Sequence, residues 1–198
     1  MRRQGLEYRG SVTEVVRLTL VAHAMTDAMA AGRFPADEPL SEIGRRQTKT
    51  VAHLDLRGDA RQLAGPELRT GQTAQLLGLN AATEPSLADL DCGYWQGQAL
   101  KDLRPEDLAT WLTEPARAPH GGESILDLIE RVADWLESLT EKETSKQLRA
   151  VAVTHPAVIR AAILVALNIP PKSFWRIDVA PVSRVDMNFR QDRWTLRL

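Results

Sequence analysis

The segment that most constrains the fold is VVRLTLVAHAMT, from Val15 to Thr26, a run of apolar and β-branched residues interrupted by a histidine. Its residues show almost no alternation between apolar and polar types, which predicts a central strand buried on both faces of a sheet. Ligand sites in open α/β sheets lie beyond the carboxyl ends of such strands. We therefore expect His23 at the edge of a site, if other segments supply partners for it.

A second segment has the same form. AVAVTH, from Ala150 to His155, is an apolar strand that ends in a histidine, and Pro156 then begins an apolar helix predicted over 157–167. If the two strands are parallel neighbours, both imidazoles lie at one edge of the sheet. The remaining patterns predict helices over 42–54, 68–77, 105–112 and 125–139, and strands over 61–64, 174–179, 183–189 and 194–198.

Composition excludes several classes of function. The chain has 198 residues, and its single cysteine, Cys92, excludes an intrachain disulfide or a cysteine-based metal cluster. A formal charge of -1 gives no global attraction to nucleic acid or anionic lipid. No apolar run reaches the roughly 20 residues that cross a bilayer. We expect a cytoplasmic protein with a flexible leader over 1–14 and one domain over 15–198, without a nucleic-acid or membrane partner.

Two further segments carry residues suited to phosphoryl chemistry. Arg69 lies at the start of a predicted helix, where backbone amides and a guanidinium favour an anion. Asp89 and Asp91, in LADLDCGYWQG, share a face if that segment is extended. A neutral imidazole can attack phosphorus, cations can hold the phosphoryl oxygens, and a carboxylic acid can protonate the departing alkoxide.

Five segments resemble, in order, the motifs of the histidine phosphatase superfamily, also called phosphoglycerate mutase-like. LVAHAMT, with the RFPADEPLSEIGRRQ that follows, is similar to the strand ending in Arg-His-Gly and its loop and helix. GPELRTGQTAQLLGL resembles the segment of the phosphate-binding arginine, and LADLDCGYWQG the segment of the proton donor. HGGESILDLIERV resembles the Gly-Glu-Ser segment, and VAVTHPAVIRA the second-histidine segment. The matches span about Leu18 to Ala166.

The resemblance implies a three-layer α/β sandwich, with a mostly parallel central sheet between helices and a small helical cap. It also implies a phosphatase that acts on a small phosphorylated metabolite through a phosphohistidine, with no cofactor and no metal. His23 is then the nucleophile, Arg69 and His155 bind the phosphoryl group with Thr26 beside it, and Asp89 is the proton donor. The oligomeric state stays open, a homodimer included.

The chain departs from the family pattern at the first motif. Ala22 stands in the place of its arginine and Ala24 in the place of its glycine. Losing one transition-state donor costs about 2.7 to 4 kcal/mol, or roughly 10² to 10³ in rate, so we expect a weakened phosphatase. Arg33 is the first candidate for a substitute cation, ahead of His120 and Arg160.

Other departures affect the proton donor and the walls of the site. Asp89 is one methylene shorter than the family's glutamate, which leaves Glu123 as an alternative donor. Met29 replaces an asparagine, and Pro156 replaces a glycine after the second histidine. A competing hypothesis follows from the lost arginine: an inactive member of the family that binds an anionic ligand or a protein partner.

Overall fold

The computed structural model describes residues 15–51, 59–141 and 148–197. Its strands are β1 (Val16–Ala22), β2 (Arg61–Ala64), β3 (Ala82–Thr83), β4 (Leu148–Thr154), β5 (Arg184–Arg190) and β6 (Arg193–Arg197). They form one sheet in the order β3-β2-β4-β1-β5-β6. The first four strands of that order are parallel, and β5 and β6 are antiparallel. The predicted central position of β1 is confirmed. Strands β1 and β4 are parallel neighbours, which is the condition under which the sequence places both histidines at one edge.

The described residues also contain the α-helices α1 (Asp27–Ala30), α2 (Glu42–Val51), α3 (Leu68–Leu76), α4 (Pro105–Thr113), α5 (Ile125–Glu141) and α6 (Pro156–Leu167). Helix α5 starts at a capping box, because the Ser124 hydroxyl accepts the Asp127 N–H while the Asp127 carboxylate accepts the Ser124 N–H. Among the described residues, no helix combines the length and the apolar character that crossing a membrane requires.

The helices cover both faces of the sheet. On β1, Leu18 and Leu20 belong to a core shared with α5 and α6, whereas Val21 belongs to a second core shared with α3. Consecutive strand residues point to opposite faces, so the non-alternating apolar pattern of β1 matches burial on both sides. The three-layer α/β arrangement is therefore confirmed.

The predicted strand over 174–179 was wrong. Residues 174–176 belong to a 3₁₀ turn, Pro171–Arg176, and 177–179 are not in a strand. Two prolines start the turn, and its period of three buries Phe174. The segment after Leu87 is a loop between the 3₁₀ turns Pro85–Leu87 and Gly93–Trp95. The leader over 1–14 and the end of the helix predicted over 42–54 lie outside the described residues.

Candidate active site

The two histidines lie side by side where β1 and β4 end. The backbone N–H of His23 donates to the Thr154 carbonyl oxygen at 2.8 Å, which continues the parallel ladder past the last paired residues. The imidazole centroids are 5.1 Å apart with an interplanar angle of 64°. The predicted meeting of both rings at one edge of the sheet is thus observed.

His23 presents one free ring nitrogen. Its Nδ1 lies 2.8 Å from the Ala24 carbonyl oxygen, which can only accept a hydrogen bond, so Nδ1 carries the proton and Nε2 keeps its lone pair. Burial, followed by the nearby charge of His155, lowers the pKa of His23 from its ordinary value near 6.5 to about 4. The ring is therefore neutral at physiological pH, which is the form that a nucleophile requires.

Arg69 enters the site from the first turn of α3. Its side chain is 1% exposed, and Nη2 donates to the Asp89 carboxylate at 2.7 Å. The Nε and Nη1 atoms are buried and have no hydrogen-bond acceptor within the described part of the chain. Buried donors without acceptors are costly, so these two nitrogens mark a place for an anion.

Asp89 bridges the cations of the site. Besides Arg69, its carboxylate lies 3.3 Å from Nδ1 of His155. Burial would raise the pKa of Asp89, but His155 and Arg69 outweigh burial and hold that pKa well below its usual range. Asp89 is therefore an ionised carboxylate in this structure. To act as the predicted proton donor, it must first take up a proton. Asp91 points away, where it accepts the Gly93 N–H at 2.9 Å.

A cavity of about 170 Å³ opens beside these groups. Its wall includes His23, Arg69 and Asp89, whereas His155 is fully buried behind them. Side chains from α1, α4 and the turn Pro171–Arg176 reach this wall. The apolar part of the wall consists mainly of Met29, Phe34, Leu90, Cys92, Trp111 and Trp175.

Arg160, on α6, is the second arginine of this cavity. Its Nε donates to the Ile177 carbonyl oxygen at 2.7 Å, and its guanidinium carbon lies 5.5 Å from the centroid of the Trp175 ring. Within the described residues, a cation–π contact and one hydrogen bond fix the guanidinium and leave its terminal nitrogens unused. Arg160, one of the two weaker sequence candidates, is therefore the one that the structure brings to the cavity.

Three predicted residues lie elsewhere. Arg33 is exposed and donates to the Gly97 carbonyl oxygen at 3.1 Å, because its bridge to Ala99 directs it away from the site. Thr26 caps α1 by accepting the Met29 N–H at 3.2 Å. Neither side chain forms part of the cavity wall in the described residues. His120 is buried against Trp95 and Trp111, also away from that wall.

Glu123 pairs with Arg131 instead of facing the cavity. Its carboxylate accepts from Nε and Nη2 of Arg131 at 2.8 and 2.7 Å. Nη1 of the same guanidinium donates to the carbonyl oxygens of Ser86 and Ala88, at 2.9 and 3.1 Å. Glu123 thus helps to hold Arg131, which in turn binds the loop that carries Asp89. Arg131 was not among the residues predicted from the sequence.

Glu67 is a second residue that sequence reasoning missed. It directly precedes the helix that carries Arg69, and its Oε2 is 2.7 Å from Nε2 of His155. The only signal in the sequence was an acid at a helix start, and that position does not indicate a partner 88 residues away.

Cys92 lines the cavity, but burial raises the pKa of its thiol to about 12, so it stays a protonated thiol.

The departures from the family motif fit their surroundings. Ala22 is fully buried in the core under α5 and α6, and Ala24 packs with Leu40 and Val182. Pro156 occupies the first turn of α6, where its missing N–H costs nothing. His23, Asp89 and His155 offer ligand-type atoms within 4.8 Å of one another. Arg69 already pairs with the Asp89 carboxylate, and Glu67 pairs with Nε2 of His155, so these described residues form an ion-pair network rather than a metal site.

The comparison with known families defines the class of protein. The model of the histidine phosphatase superfamily (branch 1) matches residues 18–198. The chain therefore belongs to the histidine phosphatase superfamily, in agreement with the order of its motifs, and by this membership its class is that of histidine-type phosphomonoester phosphatases.

Its relatives carry phosphatase and mutase names. The chain is 29% identical over 192 residues to Phosphoserine phosphatase 1 of Hydrogenobacter thermophilus, covering 90% of each chain. It is 28% identical to the "Probable phosphoglycerate mutase GpmB" of Yersinia pestis, covering 91% of this chain and 88% of the other. A solved mycobacterial glucosyl-3-phosphoglycerate phosphatase, in complex with VO3, has a TM-score of 0.80 and 25% identity over 92% of this chain and 97% of its own.

Proposed function

We propose that this chain hydrolyses a small phosphomonoester without a metal ion, through a phosphohistidine at His23. One observation carries the proposal: a buried neutral imidazole adjoins a buried guanidinium with two unused nitrogen donors. The imidazole suits attack on phosphorus, and the donors of Arg69 suit the phosphoryl oxygens that it must hold.

Binding of the substrate supplies the proton that Asp89 lacks. A monoanionic phosphomonoester offers its oxygens to Nε and Nη1 of Arg69. Its own proton passes to Asp89, whose pKa rises because the new anion shares the Arg69 guanidinium with the carboxylate. The carboxyl group is then a general acid beside the leaving oxygen.

Chemistry follows in two displacements. The lone pair of Nε2 of His23 forms the N–P bond while the P–O bond to the alcohol breaks, and Asp89 gives its proton to the departing oxygen. Water then attacks phosphorus, and Asp89 takes a proton from that water. The electrons of the N–P bond return to His23, and inorganic phosphate leaves.

The cavity indicates the kind of alcohol. Its wall is largely apolar and aromatic, and Arg160 places a fixed guanidinium in it. A planar guanidinium with free terminal nitrogens matches a carboxylate. We infer an alcohol that carries a carboxylate toward Arg160; this agrees with relatives named for phosphoserine, phosphoglycerate and glucosyl-3-phosphoglycerate.

The rate is expected to be reduced by Ala22. Without a guanidinium at that place, the site loses one donor to the phosphoryl group, worth roughly 10² to 10³ in rate. The competing hypothesis, an inactive member of the family that binds an anionic ligand or a protein partner, rests on the same alanine.

The direct test is hydrolysis of a panel of phosphomonoesters with EDTA present. The wild type should release phosphate from phosphoserine, 3-phosphoglycerate and phenyl phosphate, and His23→Ala should lose at least about 10²-fold of that rate. Arg117→Met, a change on the exposed surface, serves as the control for handling and folding. Equal rates for the wild type and His23→Ala would contradict the proposal.

A further inference from the structure

His155 is held between two carboxylates. Glu67 lies at the N-cap of α3, yet its side chain does not cap that helix. Instead its Oε2 is 2.7 Å from Nε2 of His155, and its Oε1 accepts the backbone N–H of Asp89 at 2.9 Å. On the other side of the ring, Nδ1 lies 3.3 Å from the Asp89 carboxylate. Both ring nitrogens therefore face negative charge.

The groups around this ring favour an imidazolium. The charged or titratable side chains that face it are Glu67, Asp89, Arg69 and His23. Burial and Arg69 lower the pKa of His155, but the charge of Asp89 and the hydrogen bond to Glu67 outweigh them, and the pKa is raised. A charged ring that is 0% exposed persists only because two carboxylates face it.

The backbone at Gly65 lies close to the contact between Glu67 and His155. A Cβ at Gly65 would lie 3.1 Å from both Nε2 of His155 and Oε2 of Glu67, and 2.7 Å from the Leu87 carbonyl oxygen. A side chain at position 65 would therefore force the two partners apart. The absence of a side chain on Gly65 thus permits the short contact between Glu67 and His155.

We propose that Glu67 is a positioning residue that fixes His155 as an imidazolium, so that this ring supplies the positive charge missing at Ala22. The His155 and His23 ring centroids are 5.1 Å apart, and both rings are buried. A fixed charge on His155 therefore acts on a phosphoryl group at His23 with little screening by water. The catalytic part of this inference rests on the proposed phosphatase function. The protonation of His155 does not depend on that function.

The test compares Glu67→Gln with Glu84→Gln, a matched change in a carboxylate that caps the turn Pro85–Leu87 and does not contact His155. Nitrogen-15 NMR of the histidine rings follows the titration of His155, identified with His155→Asn. Its midpoint should fall by about 1 to 3 pH units in Glu67→Gln and stay in place in Glu84→Gln. Glu67→Asp, which keeps the charge, should give a smaller fall if Glu67→Gln does not fold.

Kinetics supply the second readout. In Glu67→Gln the alkaline limb of kcat/KM should move to lower pH, with about tenfold less activity above it for each pH unit that the limb moves. The acid limb, set by neutral His23, should stay near pH 4. An unchanged His155 midpoint would overturn the inference whether or not the enzyme turns over. If the wild type shows no turnover but the titration midpoint of His155 still falls in Glu67→Gln, the proposed function and the catalytic part of this inference are overturned. The protonation of His155 by way of Glu67 then stands.

Discussion

At the scale of single residues, the positive charges of the site are paired with carboxylates of the same chain. Arg69 and the His155 imidazolium face Asp89 and Glu67, so two positive groups meet two negative ones. An anionic substrate must compete with Asp89 for its cations. This competition, together with the alanine at position 22, explains why we expect a slower phosphatase than the family motif alone implies.

The two candidate cations can be separated by paired variants. Arg160→Met should raise KM for phosphoserine and 3-phosphoglycerate by about tenfold or more, because a charge-assisted pair to the carboxylate is lost. Phenyl phosphate, which has no carboxylate, should be affected much less. Arg33→Met, which alters an exposed arginine outside the cavity, is the control and should leave all three KM values unchanged. Equal effects of the two variants would contradict the role of Arg160.

At the scale of elements, parallel pairing of β1 with β4 brings His23 and His155 together. Contacts of Arg131, which we call the brace, connect α5 to the loop that carries Asp89. Arg131, on α5, binds the Glu123 carboxylate and the carbonyl oxygens of Ser86 and Ala88. These carbonyls lie three residues and one residue before Asp89. Arg131 therefore holds the loop that places the Asp89 carboxylate 3.3 Å from Nδ1 of His155.

Removal of the brace should cost both stability and activity. Arg131→Met leaves Glu123 without its partner, and the two side chains are 25% and 16% exposed. The free energy of unfolding should fall by about 2 kcal/mol in urea titrations, and kcat should fall with it. Arg117→Met changes an exposed arginine that lies outside the brace and should alter neither quantity. Stability equal to that of the wild type would show that the brace does not stabilise the fold.

The sequence predicted most helices and strands because their signals are local. Apolar periodicity and the capping box located α5, and uninterrupted apolar runs located β1 and β4. The segment 174–176 failed because aromatic residues suit a buried turn as well as a strand. Glu67 and Arg131 were missed because their partners lie far along the chain, where no spacing rule connects them.

At the scale of the whole molecule, the chain has the fold of its superfamily and places most of the site that its motifs indicated. The structure brings His23, Arg69, Asp89 and His155 together, as the motifs predicted. The side chains of Arg33, Thr26 and Glu123 do not line the described cavity, although all three residues lie within segments that resemble the family motifs. Side-chain direction on loops depends on contacts such as the Arg33–Gly97 bond, and a sequence does not encode these in a readable pattern.

The most direct test of the proposed mechanism is the detection of phosphate on His23. Wild-type protein mixed with a phosphomonoester, quenched with alkali within milliseconds and digested, should give a peptide phosphorylated on His23. Phosphohistidine should be absent from the same peptide of His23→Ala and from unmixed protein. Phosphate release without this phosphohistidine, or tight binding of vanadate with neither product, would contradict the central claim that His23 is the nucleophile.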